Sequence, residues 1–326
     1  QSAAKSTGEE IMSITPGFKE KKKFILLALR RDSDTSGTDY IAAGATPKAI
    51  LTTGLSVKPL ETEQVSRDLD DGRNGGQPVI HTSEMISITA PFELAGSGTA
   101  SSPAAWSSLV QLSGKDENTE VATEVSHNRI QNASEELDGT IYFYWEGMYH
   151  ILLAGKASIS YAGKINERFM GTAEIKGVYG GTLEGTPPEP DFSEFSDPLP
   201  MSNTNTTFTL DGQALNLYEY ELNGNEDVQY DEGTERKQIF INDWNEEGKW
   251  IIETPTLSTF DPFAIQLSGV IIPFELTHGA NEGQVVAQKS TGVQILTVSP
   301  AEVKGKQAWD ISYRVIRGND SQLITR

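Results

Sequence analysis

The sequence predicts an all-β chain with short helices, written as two related units. The first observation is a repeat: TAPFELAGSGTASSPAAWSSLVQLSG, Thr89 to Gly114, returns shortened as WIIETPTLSTFDPFAIQLSG, Trp250 to Gly269. The second is strand patterning, with β-branched and aromatic residues throughout TIYFYW (Thr140 to Trp145) and strict alternation of Trp309, Ile311, Tyr313 and Val315 with polar neighbours. The third is size: 326 residues with 37% hydrophobic content suit two domains of ordinary length.

Composition excludes several classes of function. The formal net charge of −20 argues against nucleic-acid binding through a basic surface. With no cysteine there are no disulfides or thiolate metal sites, and the redox compartment is left open. No apolar run reaches the roughly 20 residues that span a bilayer, and the first thirty residues lack a secretory pattern, so no membrane role is expected. The sequons at Asn132 and Asn205 are then read as chance.

In chain order, Gln1 to Gly17 is polar and rich in small residues, an arm expected to be mobile or ordered by assembly. With Lys19 to Lys23, a solvated basic cluster, the first strand Lys23 to Leu29 and the loop Asp32 to Thr46, it fills residues 1–45. The first β domain is expected over 46–180, opening with a strand from Leu51 to Leu60. Glu61 to Val79 carries the turn signals Asp71-Gly72 and Asn74-Gly75 between extended flanks, which reads as a long hairpin or extended loop. Its acidic residues lack the D-x-D-x-D-G register of a calcium loop. Turn chemistry with little to bury makes Glu61, Asp68, Asp70, Asp71, Gly72, Asn74 and Gly75 candidate assembly-loop positions.

Each copy of the repeat reads strand, turn, helix, stop. Ser102 and Asp261 are placed to cap a helix, Pro103 and Pro262 to begin it, and Gly114 and Gly269 to end it. Trp106, Leu109 and Val110 share one buried face, which Phe263 and Leu267 are expected to repeat in a helix shorter by about one turn of 3.6 residues. A loop from Ser113 to Glu136 follows; its SGKD start lacks the leading glycine of a phosphate loop. Strands are expected at Thr140 to Trp145, Lys156 to Tyr161 and Thr172 to Tyr179.

The acidic, proline-rich stretch at 181–205 reads as a linker. The second β domain then spans 206–326, with Thr206 to Leu217 answering Leu51 to Leu60. Gly224 to Gly233 stands where the first half has its long polar loop, which adds Glu226, Asp227, Asp231 and Glu232 to the candidate assembly positions.

ELAGSGTA (Glu93 to Ala100), PAAWSSLVQLSG, TIYFYWEGMYH (Thr140 to His150), GTAEIKGVYGG (Gly171 to Gly181) and DPLPMSNTNTTFTLDG (Asp197 to Gly212) occur in that order. Over most of its length the chain thereby resembles the major tail tube proteins of long-tailed, siphovirus-type bacteriophages. The resemblance implies two tandem tail-tube-like β-sandwich or β-barrel domains, each with a flanking α-helix. It also implies self-assembly into stacked rings around a channel for phage DNA delivery, as homotrimeric pseudo-sixfold or homohexameric rings. DNA would pass without stable binding, the other partners would be tape measure, terminator and distal tail proteins, and the protein would reside in the virion after synthesis in the host bacterial cytoplasm.

No enzyme signature competes with this reading. His81, His127, His150 and His278 show no metal-ligand spacing, and no G-x-S-x-G elbow appears, so no catalytic residue, metal or cofactor is expected. The carboxylates Glu93, Glu146, Glu174 and Glu253 have no separation to judge from sequence. The alternative function is an adhesive or carbohydrate-binding β-sandwich, in which Trp145, Trp244 and Trp250 would form an aromatic platform.

Overall fold

The computed structural model of the chain describes residues 21–67, 69–70, 74–119 and 123–326. Gln1 to Gly17, read as an arm, lies outside the described residues. The described residues are all-β and antiparallel with two short helices. The first run holds β1 (Lys23–Leu29), β2 (Lys48–Ile50), β3 (Ser56–Ser66), β4 (Val79–Glu93), α1 (Ser107–Gln111), β5 (Val125–His127), β6 (Gly139–Trp145), β7 (Met148–Lys164) and β8 (Met170–Glu184). The second holds β9 (Thr206–Leu210), β10 (Gln213–Ala214), β11 (Leu217–Asn223), β12 (Val228–Glu232), β13 (Lys237–Ile241), β14 (Glu247–Glu253), α2 (Pro262–Ser268), β15 (Ile272–His278), β16 (Val286–Val303), β17 (Lys306–Val315) and β18 (Gln322–Thr325).

The neighbour order of the first run is β2-β1-β6-β7-β8-β4-β3, and that of the second is β10-β9-β15-β16-β17-β14-β11. The two orders match strand for strand. β9 and β10 therefore occupy the place of β1 and β2, so Thr206 to Leu217 does not answer Leu51 to Leu60 as the pattern alone suggested. One 16-stranded sheet contains both runs, because the end of β7 pairs with β11, from Ser160↔Asn223 to Lys164↔Glu219. β12 and β13 form a separate hairpin, and β18 crosses back to pair with β5 of the first run.

The core follows from the alternation. In β6, Ile141 and Phe143 enter the main core while Tyr142 and Tyr144 join a second aromatic cluster on the other face, so the strand is covered on both sides. Trp250 stacks on Tyr313 with centroids 3.7 Å apart, and Phe169 lies 6.0 Å from Tyr220, tying the runs into one apolar cluster. Gly171 is needed where it stands: a Cβ there would come within 2.4 Å of the Phe92 ring.

The helices depart from expectation in an informative way. α2 is capped by Asp261, whose Oδ1 accepts from the N–H groups of Phe263 and Ala264 at 3.0 Å, and ends at left-handed Gly269. α1 starts at Ser107 behind Trp106 with no side-chain cap, so Ser102 and Pro103 lie in the turns before it, and the second helix is the longer one. Every residue of α1 is buried, whereas Phe263 is 42% and Leu267 91% exposed, so the second helix does not repeat the buried face. The reason is cover. Glu117 and His127 lie against Gln111 and Ser107 of α1, and β5, which holds His127, is pinned by β18, but only Val270 and Ile271 separate Gly269 from β15.

The stretch 181–205 opens as strand, since β8 continues to Glu184, and it ends with Pro200 bridged to Arg168 and Met201 buried. Among the described residues no helix is long and apolar enough to cross a membrane.

Candidate assembly interfaces

The sequence-predicted positions fall into two contrasting hairpins at equivalent places. β3 and β4 pair out to Ser66↔Val79, making a long arm in which Glu61 faces Met85 and lies 3.4 Å from Lys58. Asp70, Asn74 and Gly75 are exposed at its end, while Asp68, Asp71 and Gly72 lie outside the described residues. The arm also exposes apolar side chains: Leu60, Val65, Leu69, Val79 and Ile80 are each 40% exposed or more, with Val65 and Ile80 paired across the strands.

The β12–β13 hairpin, by contrast, folds back onto its own chain. Val228, Ile239 and Ile241 are buried with Val178 of β8, and Lys176 Nζ donates to the Val228 carbonyl at 3.3 Å. Asp227, Asp231 and Glu232 lie along this hairpin; Asn242 holds Asp227 at 3.0 Å, Gln238 holds Asp231 at 3.1 Å, and the Tyr230 hydroxyl donates to Glu232 at 2.7 Å. Hydrogen bonds from Gln229 and then Asn242 hold the Asp227 carboxyl below the usual range, and the one from Tyr230 does the same for Glu232.

Glu226 is not a loop residue in the sense expected, because it is 6% exposed and forms part of a buried ionic cluster. Arg129 reaches Glu226 at 2.9 Å and Glu246 at 3.1 Å; Lys115 reaches Glu246 at 3.3 Å. Glu226 also accepts from Ser158 Oγ and the Ile159 N–H, both at 3.0 Å, and Glu246 accepts from the Ser321 N–H at 2.7 Å. The guanidinium lies 4.9 Å from the Trp244 ring. Burial alone would raise the Glu246 carboxyl, but Lys115, Arg129 and the Ser321 N–H hold it at about 2. Two cations and two carboxylates cancel, which makes such a buried group tolerable. Glu226 and Glu246 flank the β12–β13 insertion, so Arg129 clamps both its feet to the first run.

Of this cluster the sequence singled out only Glu226, and for a different role. Lys115, Arg129, Glu226 and Glu246 sit in polar stretches that look like solvated loops. Beside it, His127 is fully buried, with Nδ1 3.3 Å from the Leu323 carbonyl and Nε2 2.7 Å from Ser107 Oγ, so Nδ1–H donates to the carbonyl. Burial pushes the His127 imidazole down to about 4. Ser107 is 2% exposed, so no substrate reaches this pair in the arrangement seen.

The remaining candidates are dispersed. His81 is exposed on the arm beside Thr62, whereas His150 and His278 are buried against threonine hydroxyls. Trp250 is fully buried and Trp244 lies against Arg129, so the aromatic platform of the adhesive alternative is not formed. A groove of about 970 Å³ near Phe24, Leu51 and Phe192 has Glu146 and Glu184 on its wall and no histidine. Among the described residues no cluster of three or more metal-ligating side chains occurs.

Two strand edges complete the picture. β3 pairs only with β4, and the Ser299 to Val303 end of β16 pairs only with β17, among the described residues. On the sheet face away from the core, acidic side chains have cationic neighbours: Lys249 reaches Glu219 at 3.3 Å and Glu221 at 3.4 Å, and Arg314 reaches Glu247 at 2.5 Å. No family model matches the chain, and no curated protein matches it.

Proposed function

We propose that this chain is a non-enzymatic structural subunit that assembles head to tail into closed rings, stacked as the tail tube of a long-tailed bacteriophage. The observation that carries the reading is the edge joint of β7 with β11. Taken with the matching strand orders, it supports a reading of two tandem units joined as neighbours in a ring would be. By that correspondence, Ser299 to Val303 of β16 answer Ser160 to Lys164 of β7, because Trp309 and Gly171 oppose equivalent residues of β14 and β4. On the other side, Gly54 to Lys58 answer Glu219 to Asn223.

These are the stretches with an open outer edge, and an unpaired edge is a template for another strand. A second copy supplies it, and a heterologous contact of this kind closes into a ring when the rotation permits. If each unit takes one of six positions, as the resemblance to tail tube proteins implies, three chains complete the ring. The net charge of −20 supports passage of DNA without stable binding, since a basic lumen would hold the duplex. Residence in the virion and contacts with tape measure, terminator and distal tail proteins follow from the same resemblance.

Electron microscopy of the purified protein tests the proposal. Rings or tubes with an open lumen are expected; a monodisperse monomer that binds glycans contradicts it.

A further inference from the structure

The large exposed apolar side chains fall mainly into two groups: the β3–β4 arm of the first run, and the margin of α2 in the second, where Leu257, Phe263, Leu267, Val270 and Ile271 are 42–91% exposed. Scattered apolar residues need no explanation, but two such concentrations on one chain mark contact surfaces. The contacts inside the chain indicate what covers them. The insertion between β11 and β14 carries Ile241, whose Cδ1 lies 3.2 Å from where a Cβ on Gly114 would stand; Gly114 is a left-handed glycine two residues beyond Leu112, the right-handed C-cap at which α1 ends instead of at the glycine expected from the sequence. The arm is the insertion between β3 and β4, and Gly269 is the left-handed glycine that ends α2.

We propose that the arm of one copy lies over the end of α2 in the preceding copy, with the Val65–Ile80 face against Leu267, Val270 and Ile271. This inference rests on the head-to-tail reading above and names a contact that reading does not require. The edge joint sets β3 of the next copy beside β16, and the arm continues from β3 for eight residues beyond Lys58, about 25 Å of strand. Register shifts between Lys58 and Glu61 and between Glu61 and Glu63, with Ser83 at φ 56°, place the bend at the root of the arm. The arm thus does between copies what β12–β13 does within one, and it replaces the cover that Glu117 and His127 give α1.

The absence of cysteine makes the test clean. In the variant I80C/V270C, a short thiol-reactive cross-linker should join copies into covalent dimers and trimers, while each single variant stays uncrosslinked beyond background. Leu267→Asp, at a side chain 91% exposed, should leave the melting temperature of the monomer unchanged and raise the concentration for half-assembly at least about tenfold. Rings that form without cross-links, or that assemble from Leu267→Asp at the wild-type concentration, overturn the arm contact and leave the ring reading intact. A wild-type chain that stays monomeric at every concentration overturns both.

Discussion

Arg129 is the residue on which the two runs most visibly meet. It joins Glu226 and Glu246 below the surface, so Arg129→Met leaves two buried carboxylates with too few partners. Breaking such a group by removing one member costs about 3–5 kcal/mol. Chemical denaturation should show a loss of that size, with partial recovery when Glu226→Gln is added; a loss under about 1 kcal/mol would mean the cluster contributes little. His127 supplies a pH signature. Its folded value of about 4 lies below the ordinary 6.5, so the unfolded chain takes up the proton first as pH falls. Stability attached to it is complete above pH 6.5 and is lost down to about pH 4, a change of about 3 kcal/mol. His127→Gln should flatten the stability profile in that window, and an unchanged profile contradicts the assignment. None of this was legible beforehand, because a residue in a polar loop reads as solvated until a distant strand is known to cover it.

At the scale of elements, strands were legible wherever period-two alternation or a β-branched run was long enough, as in β1, β6 and β17. The cap, proline and glycine of α2 were legible for the same reason, since they act within a few residues. Asp261→Ala should accordingly cost about 1 kcal/mol of stability by denaturation. The exposed face of α2 was not legible: Phe263 and Leu267 have helical spacing, but spacing says which side chains share a face and not whether anything covers it. The same limit separated the two polar hairpins. Both have turn chemistry, yet β12–β13 carries Val228, Ile239 and Ile241 onto its own chain while the arm keeps Val65 and Ile80 exposed. Shortening the arm between Asp70 and Gly76 should therefore spare the folded monomer, as read by circular dichroism and melting, and abolish tube growth. Normal tubes from that variant would remove the arm from assembly.

For the molecule as a whole, charge and symmetry make separate demands. Copies of net charge −20 repel one another, and the Debye length of about 10 Å at 0.1 M salt screens exposed carboxylates. Assembly should quicken as ionic strength rises, followed by light scattering; a rate independent of salt would place the acidic surface away from the contacts. Carboxylates that crowd one another in a ring disfavour their shared ionisation, which raises their pKa values. Within one chain the clear shifts run the other way, as for Glu246 and Glu247, because hydrogen bonds and cations reach them first. The central claim is that the β7–β11 joint inside the chain is the same joint that links copies. Native mass spectrometry of a single ring tests it most directly: three chains per ring are predicted, and six chains, or a chain that stays monomeric, would contradict it.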